Sequence, residues 1–157
     1  MMNYSTLFRL FSCGLLLMGS VSPRLSAVEM AKEIIDYKVE GIGIPASLTG
    51  EPGDSDRGRK LAIDRKKGNC LACHRAPVPE EDDHGDIAPD LAHVASRLTV
   101  PQLRLRLVDS KRINPATMMP SFYRIDDLHR VAKEFQGKPI LTAKEVEDLL
   151  AYLSTLK

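Results

Sequence analysis

Two cysteines and a histidine meet in the run "NCLACH", as Cys70, Cys73 and His74. Thiolates and an imidazole this close are donors for zinc, a redox disulfide or a covalently attached haem. A structural zinc needs four N or S ligands. His84 and His93 are the nearest further candidates, and their spacing fits no common finger. A thioredoxin-like pair needs a βαβ context, whereas the flanks here read as helix and loop. C-x-x-C-H is the attachment pattern of c-type haem. The two intervening residues let both sulfurs reach one porphyrin edge. His74 follows at once, so one turn presents two thiols and a proximal imidazole. The residues favour haem over zinc and disulfide.

A second axial ligand is expected downstream. The run "NPATMMPSFY" offers Met118 and Met119. Pro120 biases the residue before it toward extended backbone, which holds Met119 on a stiff loop and turns Met118 elsewhere. Met119 is therefore the choice; the alternative is that both methionines fill core space, the commoner use of Met. His84, His93 and His129 are rivals, because two histidines can also share an iron. His84 lies in the acidic run "PEEDDHGD" and His129 in a polar run, and both read as solvated surface. His93 in "DLAHVASRL" reads as one side of a helix. A ligating histidine usually donates its other ring N–H to a carbonyl. The Pro89 carbonyl in "GDIAPDL" is the candidate acceptor, with an ordinary turn as the alternative.

The elements that must position these groups are helical. Asp54 is an N-cap candidate for a helix through "SDRGRKLAIDRKK". Gly58 within it costs stability unless another helix crosses closely there. Residues 76–90 form a polar loop. "DLAHVASRL" and "VPQLRLRLVDS" are helix candidates, with Thr99 as N-cap and Pro101 near the start of the second. Residues 110–124 form the methionine loop. Thr142 and Glu145 make a capping box. Val146, Leu149, Leu150 and Leu153 follow as an apolar stripe at helical spacing, and Tyr152 packs near the first helix. No strand alternation or internal repeat is visible. The expectation is an all-α domain whose terminal helices cross around the haem.

The 157 residues suit one domain with extensions. Aromatics make up 5% and there is no Trp, so a large apolar group would help complete the core. The net charge of +1 lacks the basic excess of a nucleic-acid binder. Arg9, the apolar run "LFSCGLLLMG" and the small residues after it read as an export signal over 1–27, with cleavage near Ser22 or Ala27. That run is too short to span a bilayer. Cleavage removes Cys13, so the mature chain keeps only Cys70 and Cys73 and has no thiol to spare. Residues 28–53, with "GIGIPASLTGEPGD", read as an extended arm, and residues 54–157 as the haem-bearing domain.

The haem clip and methionine loop resemble those of class I c-type cytochromes. The stretches "LTGEPGD", "RGRKLAIDRKKGNCLACH", "GDIAPDL", "DSKRINPATMMPSFY" and "EFQGKPILTAKEVEDLLAYL" resemble one branch more closely, the SoxX-type monohaem cytochromes. Ala88 departs from the Gly that many class I cytochromes have before the proline. The resemblance implies one covalently bound haem c, thioethers at Cys70 and Cys73, and axial ligands His74 and Met119. It also implies a periplasmic subunit of L-cysteine S-thiosulfotransferase. Its partners would be a SoxA-type cytochrome subunit, the SoxYZ carrier protein and a downstream electron acceptor. That complex joins thiosulfate to a carrier cysteine, and the SoxX-type subunit takes up electrons. A freely diffusing electron carrier is the alternative. Neither reading calls for a membrane span after signal cleavage. Lys66, Lys67, Arg75, Arg104, Arg106, Lys111 and Arg112 flank the motifs; a solvated charged face is the favoured reading, ahead of contacts to haem propionates or an anionic partner.

Overall fold

The computed structural model describes residues 34–157. The export-signal reading, with Arg9, Cys13 and the cleavage point, lies outside the described residues, as does the start of the arm.

Four helices carry the fold: α1 (Ser55–Ile63), α2 (Val94–Arg97), α3 (Val100–Asp109) and α4 (Ala143–Leu153). Short 3-10 turns span Cys70–Ala72, Ser110–Arg112 and Lys133–Phe135. Among the described residues no strand forms beyond one isolated bridge, Glu40 to Gly43. The all-α expectation holds.

Helix α1 begins where the sequence signals it. Asp54 accepts a hydrogen bond from the Arg57 N–H at 2.9 Å, a cap of about 1 kcal/mol. It ends at Ile63 rather than running on through Lys67, because Asp64 turns extended and caps it. Helix α4 has its capping box. Thr142 Oγ1 accepts from the Glu145 N–H at 3.1 Å, and the Glu145 carboxylate accepts from the Thr142 N–H at 2.7 Å. The apolar stripe of α4 is buried in full: Val146, Leu149, Leu150 and Leu153 join the core.

Helices α1 and α4 make the principal helix–helix contact. Gly58 lets them approach, since a Cβ there would collide with the Asp148 carbonyl and press on Tyr152. The Asp148 carboxylate fastens the same crossing. It accepts from the Asp54 N–H at 2.7 Å, Arg57 Nε at 2.9 Å and Lys144 Nζ at 2.6 Å. Burial alone would push this carboxyl up, but the Arg57, Lys144 and backbone donors outweigh it and hold it at about 2.

The described part of the arm is packed onto the domain. Ile44 is fully buried and Leu48 nearly so, and the Ile44 N–H donates to the Pro101 carbonyl at 2.9 Å. Arg104, grouped in the sequence with exposed cations, is instead 5% exposed. It donates to both Glu147 carboxylate oxygens, at 2.8 and 3.0 Å, and to the Ile44 carbonyl at 2.7 Å. Glu147 also accepts from the Leu48 N–H at 2.9 Å. A buried ion pair persists only with its remaining polar groups satisfied, and the arm backbone does that here.

The run "DLAHVASRL" departs from the helix expected of it. Only Val94–Arg97 is helical, and His93 enters it in the left-handed region at φ 57°. The Asp90 carboxylate accepts from the Ala92 N–H at 2.7 Å, a local turn that competes with helix. His93 is exposed, and its Nδ1 donates to the Lys157 carbonyl at 2.6 Å.

Candidate haem site

The motif 70–74 is a single tight turn. Asn69 starts it in the left-handed region, at φ 48°. The Cys73 and His74 N–H groups both return to the Cys70 carbonyl, at 3.2 and 3.0 Å. Both cysteines are half-buried, and they do not form a disulfide with each other. Burial pushes the Cys70 thiol up to about 11.

The 76–90 loop doubles back onto this turn. Gly85 N–H donates to the Leu71 carbonyl at 2.7 Å, Ala88 N–H to Cys73 at 3.0 Å, and Leu91 N–H to Arg75 at 2.8 Å. Gly85 is required here, since a Cβ would collide with the Ala72 carbonyl. The loop thereby delivers the Pro89 carbonyl to His74 Nδ1 at 2.6 Å. A carbonyl can only accept, so the ring proton belongs on Nδ1. Nε2 is left with its lone pair, the form a metal ligand needs. The expected His74–Pro89 contact is therefore present, despite Ala88.

On the far side, the methionine strip is laid against the end of α3. Phe122 N–H donates to Leu107 O at 2.9 Å and Arg124 N–H to Val108 O at 3.1 Å. These bonds use carbonyls that a helix C-terminus leaves unsatisfied. The Asp109 carboxylate accepts from Ser121 Oγ at 3.1 Å and pairs with Arg124 Nε at 3.1 Å.

Cys70, Cys73, His74 and Met119 all line one cavity of about 530 Å³. Its apolar wall includes Ile87, Pro120, Phe122, Phe135 and Ile140, and its size and character suit a cofactor. Arg65, Lys66 and Lys67 are the charged residues of its lining, which contains no carboxylate. Lys67 is paired with Glu145 at 2.9 Å. Two thiols, an imidazole with a bare Nε2 and a thioether in one apolar cleft fit a covalent haem. They do not fit a zinc clip: among the described residues no group of three or more His, Cys, Asp or Glu side chains could hold a metal ion.

Both methionines line the cavity, but they differ in burial. Met118 is 76% exposed, whereas Met119 is half-buried and packs against the core. Of the rival histidines, His129 is exposed. His84 corrects the solvated-surface reading. It is half-buried, its Nδ1 accepts from the Ala76 N–H at 3.3 Å, and its Nε2 is buried without a partner. The acidic run around it concealed this, because Asp82, Asp83 and Asp86 are exposed while the loop folds His84 under. His84 lines a separate cavity behind the clip. Phe135 and Ile140 carried no signal in the sequence as wall residues, since they come from an irregular segment without periodicity.

The family model for cytochrome c matches residues 55–157. No match to a curated protein was found. Among solved structures, the chain is similar to one described as the crystal structure of SoxXA from P. pantotrophus. The identity is 36% and the TM-score 0.72, over 77% of this chain and 94% of that one.

Proposed function

Because the chain belongs to the cytochrome c family, as a SoxX-type class I member carrying a covalent haem c, we propose that it is the electron-accepting subunit of a thiosulfate-conjugating complex. In this reading Cys70 and Cys73 hold the thioethers, and His74 and Met119 are the axial ligands. The partner is a SoxA-type cytochrome, and the substrate cysteine belongs to a SoxYZ-type carrier. Export to the periplasm, an enzyme role only as a subunit of L-cysteine S-thiosulfotransferase, and a downstream acceptor complete the proposal.

The observation that carries this reading is that Cys70, Cys73, His74 and Met119 all line one apolar cleft. When bound, the haem supplies a one-electron iron couple, and His/Met ligation raises its potential. The residues here do the rest. Pro89 fixes the His74 tautomer. Ile87, Phe122, Phe135 and Ile140 line the cleft with apolar surface. Arg65 and Lys66 supply positive charge beside it for acidic cofactor groups.

If His74 and Met119 both hold the iron, thiosulfate would find no open position there. With Cys70 and Cys73 spent on attachment, and Cys13 lost with the signal, it has no thiol to carry a sulfur intermediate. The sulfur chemistry then falls to the partner. There the carrier thiol and thiosulfate form one S–S bond, releasing two electrons and one proton. The electrons pass through this chain one at a time. No helix among the described residues is long and apolar enough to cross a membrane.

Reconstitution tests the proposal. Mass spectrometry should find the carrier cysteine converted to a thiosulfonate only when this chain and a SoxA-type partner are both present. Carrier left unmodified by the complete mixture would favour the freely diffusing electron carrier.

A further inference from the structure

Both backbone polar groups of Met119 are gripped by hydroxyls. Ser110, 4% exposed, donates from Oγ to the Met119 carbonyl at 2.7 Å and reaches the Pro120 carbonyl at 3.3 Å. Thr117 Oγ1 accepts from the Met119 N–H at 3.2 Å. Thr117 is itself anchored. Its N–H donates to Asn114 O at 3.1 Å, and its carbonyl accepts from Lys111 Nζ at 2.7 Å. Ser110 and Lys111 both belong to the 3-10 turn that continues α3.

This grip is local to Met119. The strip beyond it stays attached to α3 through Phe122 and Arg124. Around Met119 itself the chain is open to water, with Met118 and Pro120 exposed. Ser110 and Thr117 therefore constrain the half-buried methionine of this turn, which lines the cavity and packs against the core.

We infer that Ser110 and Thr117 are positioning residues for the axial thioether: they hold Met119 against the haem iron and so set how readily another ligand replaces it. The inference rests on Met119 being the ligand. Neither hydroxyl needs to touch the haem. A loop freed at Met119 spends less time in its ligating conformation, and a competitor binds more tightly in proportion.

The test is titration of the ferric holoprotein with imidazole, read at the weak near-infrared sulfur-to-iron band. Ser110→Ala should raise the apparent imidazole affinity about fivefold, the weight of one hydrogen bond. Thr117→Val, which keeps shape but loses the acceptor, should shift it in the same direction. Ser110→Thr, keeping the hydroxyl, should remain near the parent. Thr117→Val lies on a partly exposed turn and decides the question if Ser110→Ala does not accumulate as holoprotein. Parental affinity in both hydroxyl-deletion variants, even with a lowered urea midpoint, would overturn the inference and leave the hydroxyls a purely structural role. A band absent from the parent, or one surviving Met119→Ala, would instead remove the ligand assignment beneath it.

Discussion

Met118 and Met119 carry the same side chain, but only Met119 precedes a proline. Pro120 stiffens Met119, which turns inward while its neighbour is exposed. Met119→Ala should abolish the near-infrared band of the ferric protein, and Met118→Ala should leave it; the opposite pattern would move the ligand by one position. The chemistry-bearing residues were legible because each sits in a short local pattern. The clip, the Pro89 acceptor and the Met–Pro pair are read within a few residues. His84 was misplaced because its acidic neighbours read as surface while the loop turns it toward Ala76, and Arg104 because its partners are distant in sequence. Glu147 and the arm carbonyls neutralise and satisfy Arg104, and no local window contains them. Asp148 gives a pH prediction. Its carboxyl is held at about 2, against 3.8 for an unperturbed group. A group depressed on folding stabilises the fold above its unfolded value, and the contribution fades as pH falls through the folded one. On the order of 2 kcal/mol should therefore disappear between roughly pH 4 and pH 2. Urea midpoints across that range should fall steeply in the parent and more shallowly in Asp148→Asn, which should already be the weaker at pH 7.

The helix starts that were anticipated are those with complete capping signals. Asp54 before α1 and the Thr142–Glu145 box before α4 fixed the two starts, and Gly58 announced the crossing between them. Gly58→Ala should cost about 1–3 kcal/mol or more, the range for overpacking a tight contact, because the clash is with the α4 backbone at Asp148. Thermal denaturation of the holoprotein would check this, and an unshifted midpoint would mean that the helices can separate freely. Helix α2 shrank because the Asp90 turn competes with helix, a contest that apolar spacing does not record. The arm was legible only as irregular. What holds it is the Arg104–Glu147 pair, and Arg104→Ala should destabilise by about 3–5 kcal/mol by leaving Glu147 buried and unpaired. Hydrogen exchange should then show the 44–48 backbone exposed ahead of the α1–α4 crossing. Protection unchanged at Ile44 and Leu48 would mean that the arm is held by apolar packing alone.

At the scale of the whole molecule, the fold is a scaffold whose two sides meet at one cleft. The α1 side delivers the thiols and His74, and the α3 side delivers Met119. That convergence was inferred from motif order and resemblance; the walls between the two sides were not, since Phe135 and Ile140 come from a segment without periodicity. A group bound only in the folded state stabilises that state. Cys70→Ala with Cys73→Ala should therefore leave a chain that exchanges its amides far faster than the holoprotein. Under the proposed function, this chain takes electrons from thiosulfate only through a partner. Rapid-mixing absorbance of its haem with thiosulfate tests this most directly, first alone and then with a SoxA-type cytochrome and the carrier. Negligible reduction alone and fast reduction in the complete mixture are expected. Full-rate reduction by thiosulfate without the partner would contradict it.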